Sequence, residues 1–84
     1  MSEIHERILL AAQSDLSVRV YSTTPENPLV RIGQLTLAGQ EAASAVLDLA
    51  RANLLAHRGP TIAAADHYQI TPAGRRRVAE LLAR

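Results

Sequence analysis

Between residues 40 and 55 apolar side chains recur at helical spacing. Set at about 100° per residue, Ala43, Val46, Leu47, Ala50 and Leu54 share one side, flanked by Ala42, Leu49 and Asn53, while Glu41, Ser44, Ala45, Asp48, Arg51 and Ala52 lie opposite. A stripe of this length specifies an amphipathic helix, and its apolar side has to be covered. In a chain of 84 residues, which buries only about 60–65% of its unfolded surface, the cover comes from the rest of one small domain, residues 1–84, or from a second copy.

The remaining elements are read around that helix. Residues 3–13 form a first helix, capped by Ser2, with Glu3 and Glu6 at the positive end of its dipole and Ile4, Ile8, Ala11 and Ala12 on one stripe. Ser14-Asp15 ends it. Residues 16–21 alternate apolar and polar and predict a strand with Leu16, Val18 and Val20 inward and Tyr21 at its close. Ser22 to Pro28 is a turn-rich loop with two prolines. Residues 29–35 fit a short second helix burying Leu29, Ile32 and Leu35, or, given Gly33, a strand; a break follows at Thr36–Gly39. Residues 56–70 suit a hairpin, with Gly59-Pro60 and Asp66-His67 as turn signals and Tyr68 as a packing residue. Thr71 then caps a last helix with Pro72 at its first position and Val78, Leu81 and Leu82 buried.

Composition removes several function classes. No cysteine is present, so neither a disulfide nor a thiolate metal site is available, and the aliphatic core contains only two aromatics, Tyr21 and Tyr68. His5, His57 and His67 lack metal-ligand spacing and read as three surface histidines, with His57 and His67 facing each other across the hairpin; no cofactor motif accompanies them. No Gly-rich phosphate loop or nucleophile elbow occurs, the acids fall on exposed faces, and a chain this short seldom builds a protected pocket of about 300 Å³. The expectation is a protein that is not an enzyme. No apolar run approaches the roughly 18 residues of a membrane span, and the acidic N-terminus differs from a signal peptide, so a cytoplasmic setting is expected.

The net charge of +1 hides an asymmetry: residues 1–50 carry three arginines against six carboxylates, and residues 51–84 six arginines against two. A basic C-terminal half suits an anionic partner.

Leu49, Asn53-Leu54-Leu55 and Tyr68-Gln69-Ile70-Thr71-Pro72-Ala73-Gly74-Arg75 carry a resemblance. From Val46 to Arg77 the chain resembles the winged helix-turn-helix domains of bacterial MarR- and PadR-type regulators. Their recognition helix ends in Leu-x-x-x-Gly-Leu-Val and their wing closes on Tyr-x-Leu-Thr-x-x-Gly-Arg. The match covers the C-terminal half by motif and the first half by element order. It departs at Asn53, where the family usually has Gly; Asn is the next best tolerated residue in the left-handed conformation.

The resemblance implies an α+β winged helix-turn-helix: a three-helix core, a two- or three-stranded wing and a C-terminal helix. It also implies a small transcription regulator on double-stranded DNA; a homodimer is expected, pairing through the first and last helices because a core this small leaves leucines to be covered. The helix of residues 40–55 would enter the major groove with Ser44, Asp48 and Arg51, while Arg58, His67, Arg75, Arg76 and Arg77 would hold phosphates. Glu41 and Asp48 sit poorly against phosphates, and Asp48 can pair with Arg51. A protein-interaction module on the same fold, an inhibitor or adaptor of phage or plasmid type that binds no DNA, is the competing expectation.

Overall fold

Ser2 stands in extended conformation (φ −85°, ψ 169°) ahead of helix α1 (Glu3–Ala12), as a cap residue does. In the computed structural model, which describes residues 2–14, 16–22, 26–60 and 65–84, α1 buries Ile8, Leu9 and Ala12 completely. Strand β1 (Val18–Tyr21) follows with Val18 and Val20 inward. Leu16 is 42% exposed instead of inward, because the strand starts only at Val18. Asp15, residues 23–25 of the expected loop and residues 61–64 of the expected hairpin segment lie outside the described residues.

Residues 29–35 form strand, not helix. Strand β2 (Leu29–Ile32) turns through Gly33-Gln34 into strand β3 (Leu35–Ala38), pairing Ile32 with Leu35. Gly33 has φ +60° and Gln34 is not among the positive-φ residues, the pattern of a two-residue type II′ hairpin with glycine first. Val30 and Ile32 are buried and Leu35 and Leu37 half-buried on the same side, so a period of two wins over the helical reading, and the expected break at 36–39 is strand to Ala38. The helix that would precede the central helix in a helix-turn-helix pair is thus replaced by a β-hairpin.

Helix α2 (Gln40–Arg51) buries Ala42, Ala45, Val46 and Leu49. The buried stripe is turned by about one residue from the expected one: Ala45 is inside and Leu47 is 46% exposed. Its end is a Schellman motif. Asn53 adopts φ +62°, its N–H donates to the Ala50 carbonyl (3.0 Å), and the Leu54 N–H donates to the Leu49 carbonyl (2.9 Å).

The hairpin of strands β4 (Leu55–Pro60) and β5 (Ala65–Ile70) forms as expected, but Asp66-His67 lies within β5 and not at the turn. Register shifts by one residue between His57↔Tyr68 and Pro60↔Asp66, so Arg58 and Gly59 together oppose His67; Gly59, with φ +94°, supplies the bulge. Helix α3 (Pro72–Leu82) is capped by Thr71, whose Oγ1 accepts from the Gly74 N–H (3.0 Å) and donates to the Asn53 carbonyl (2.6 Å). Val78 is buried, whereas Leu82 is 64% exposed and Leu81 only half-buried.

The five strands make one antiparallel sheet in the order β3-β2-β1-β5-β4. The fold class is therefore α+β, with three helices among the described residues. The helices contact one another through α1 and share a single apolar cluster with Val18, Val30, Ile32, Leu55, Tyr68 and Ile70. They form one layer on one face of the sheet. Burying each large aliphatic of that layer is worth about 1.5–3 kcal/mol, against at most about 1 kcal/mol for an exposed ion pair. The aliphatic layer, not the arginines, holds the fold.

Candidate functional site

With all helices on one face, the other face of the sheet is left to its own side chains. Strand alternation decides which these are. Val18, Val20, Val30 and Ile32 face the helices, so Arg19 and Arg31 face away, and both are exposed. The register aligns them: Thr36 opposes Arg31, Arg31 opposes Arg19, and Arg19 opposes His67. Across the bulge His67 meets Arg58 and Gly59. One row of Arg31, Arg19, His67 and Arg58 thus crosses four adjacent strands, roughly 14 Å at normal strand spacing.

Among the described strand residues there is one carboxylate, Asp66, and it pairs with Val20 on the helical side of the sheet. Neither Arg19 nor Arg31 makes an ion pair among the described residues. Arg58 donates from Nε to Gln69 Oε1 (3.2 Å). His67 is half-buried, and its Nε2 is shut off from solvent with no hydrogen-bond partner. Beside the row, Leu16, Ser17, Arg19, Arg31 and Gly33 line a recess of about 290 Å³.

The expected contact residues do not share one surface. Arg58 and His67 lie on the open sheet face. Ser44, Asp48 and Arg51 lie on the exposed side of α2, in the helical layer. Asp48 is engaged there by His5 Nε2 (3.1 Å) and by Arg51 (4.0 Å), while the Ser2 N–H donates to His5 Nδ1 (3.3 Å). Arg75, Arg76 and Arg77 are exposed on α3, with α1 between it and α2. Arg75 donates to the Gln13 carbonyl (3.3 Å), and Arg77 pairs with Glu80 (3.7 Å) within the helix. Arg84 reaches Glu6 of α1 (3.0 Å). Arg19, Arg31 and Ser17 were not among the expected site residues. Their signal was the single arginine in the middle of each apolar alternation, Val18-Arg19-Val20 and Val30-Arg31-Ile32.

His57 and His67 do not face each other. They sit on opposite faces of the hairpin: His57 reaches Asp66 Oδ1 (3.3 Å) and its ring lies 5.0 Å from that of Tyr68, tilted by 49°. Burial, and then the negative charge of Asp66, push the Tyr68 phenol above its usual value and keep it neutral. Among the described residues no three His, Asp or Glu side chains converge on a metal position, and no helix is long and apolar enough to cross a membrane. What the open face offers is a row of positive charge placed by strand register.

No protein-family model, curated protein or solved structure matches the chain, and its function is read from its own surfaces.

Proposed function

We propose that the chain is a small DNA-binding regulator, without catalytic activity, that holds the phosphate backbone on the open face of its sheet. The observation that carries this reading is the row of Arg31, Arg19, His67 and Arg58 across four strands, with no carboxylate on that face among the described strand residues. Guanidinium groups fit phosphate oxygens two at a time. A rigid sheet presents them without first having to order a loop.

The same geometry argues against groove reading by this face. The outer strands are roughly 19 Å apart at normal strand spacing, wider than the major groove of about 12 Å. Contacts confined to phosphates position a protein without reading sequence. The winged-helix arrangement implied by the C-terminal motif places α2 in the groove instead. Exposed Ser44 and Arg51 favour that second reading, and Glu41 and the doubly engaged Asp48 oppose it. Pairing of two copies belongs to the proposal: Gln13, Arg75, Val78, Ala79 and Leu82 line a shallow groove between the end of α1 and α3, and Leu82 beside it is 64% exposed. A cytoplasmic setting goes with it.

Binding to a duplex of mixed sequence separates the readings. Three arginine–phosphate contacts give a slope of about −2.7 for log K against log salt, or about a 40-fold loss between 50 and 200 mM. On the proposed surface, combining Arg19→Gln, Arg31→Gln and Arg58→Gln removes most of that slope, while Arg51→Gln and Arg76→Gln leave it unchanged. The opposite pattern assigns contact to the helices. No binding at 50 mM salt assigns the surface to a protein partner.

A further inference from the structure

We infer that the recess between Arg19 and Arg31 is a discrete phosphate subsite, taking one phosphodiester of a nucleic-acid strand that passes over the sheet. The inference rests on the proposed function and adds to it a defined position and stoichiometry.

Arg19 and Arg31 are direct cross-strand partners in the β1–β2 register. Side chains so placed start about 4.5–5.5 Å apart, and like charges directly opposite one another destabilise a sheet. An acid or a threonine at either position would remove that repulsion. Here no carboxylate answers either guanidinium among the described residues. Next to the pair the surface dips into the recess, whose rim adds the Ser17 hydroxyl and the Gly33 backbone. At Gly33 (φ +60°) a Cβ would stand 3.0 Å from Leu16 Cδ1, so the hairpin turn and Leu16 already close on each other there, and a larger residue intrudes. The next side chain along the row, His67, has its Nε2 closed to solvent and unpartnered.

Two forks of N–H donors and a hydroxyl donor, with no carboxylate among the described lining residues, select a tetrahedral oxyanion over a cation or a neutral polar group. The recess lies beside a row of cations that crosses four strands, so a nucleic-acid strand laid along the row passes over it, which favours an internal phosphodiester over a terminal phosphate.

Backbone-amide NMR during titration with inorganic phosphate, at constant ionic strength against chloride, tests the subsite. Shifts of residues 16–19 and 31–33 that saturate with phosphate and not with chloride are expected. Arg19→Gln is expected to weaken that binding about tenfold. Arg31→Lys, which keeps the charge and loses the fork, weakens it less. Without ligand, Arg31→Thr is expected to melt about 2–5 °C higher than the parent, since the opposed charges are gone. Thymidine oligonucleotides with and without a 5′-phosphate report the source: equal shifts of the same amides support an internal phosphodiester, and shifts that require the terminal phosphate overturn that assignment. If phosphate and chloride act alike while salt-sensitive DNA binding through Arg19, Arg31 and Arg58 persists, the subsite is wrong and the proposed function stands. If DNA binding is also absent, both fall.

Discussion

Two residues near the C-terminal end of α2 show how much a single position holds. Asn53 carries the left-handed backbone that ends the helix, and Gly74 lets α3 approach so closely that a Cβ there would stand 2.3 Å from the Leu54 carbonyl oxygen. Because that neighbour is backbone, relief requires moving α3. Gly74→Ala is expected to cost about 2–4 kcal/mol, lowering Tm by on the order of 10 °C, which a thermal melt followed by circular dichroism reads. Asn53→Gly keeps the left-handed cap and is expected to leave stability equal or slightly higher, whereas Asn53→Ala costs about 1 kcal/mol. The Thr71-x-x-Gly74 spacing is accounted for by this junction. Thr71 caps α3 and ties it to Asn53, and Gly74 makes room. Those two residues are scaffold, and they say little by themselves about the partner.

At the scale of elements, the parts legible in the sequence were those specified locally. The Ser2 and Thr71 caps, the helical period of residues 40–51 and the hairpin of 55–70 each follow from a few neighbouring residues. The β2–β3 hairpin was harder, because a two-residue Gly33-Gln34 turn leaves two four-residue strands whose apolar positions also fit a short helix. What decides between them is pairing of β2 with β1, a contact between distant parts of the chain. Rotation of the α2 stripe toward Ala45 likewise depends on where α1 and the sheet lie, not on α2 alone. The β4–β5 hairpin carries its own test in Tyr68. Its phenol is raised above the usual value by burial and Asp66, so the folded state holds the proton more tightly than the unfolded chain. That contribution is intact below the unfolded phenol value of about 10 and is lost as pH climbs through the folded value. Thermal melts above pH ~10 are expected to fall more steeply with pH for the parent than for Tyr68→Phe.

For the molecule as a whole, the site was half legible. Arg58 and His67 were marked from the hairpin, but Arg19 and Arg31 join them only through the pairing of β1 with both β2 and β5, which no local pattern encodes. The helical arginines were equally visible in the sequence, and several of them turn out to tie the helices to one another or to themselves. The two layers therefore divide the work: an aliphatic helical layer with mixed, mostly paired charge, and a sheet face with unanswered positive charge. In the proposed dimer, exposed Leu82 is covered by a second copy, and Leu82→Asp is expected to shift sedimentation from dimer to monomer without loss of helical signal. The central claim, that the open sheet face is the nucleic-acid surface, is tested most directly by mapping amide shifts on adding a short mixed-sequence duplex. Perturbations confined to residues around Arg19, Arg31, Arg58 and His67 are predicted, and perturbations concentrated on α2 and α3 with the sheet silent would contradict it.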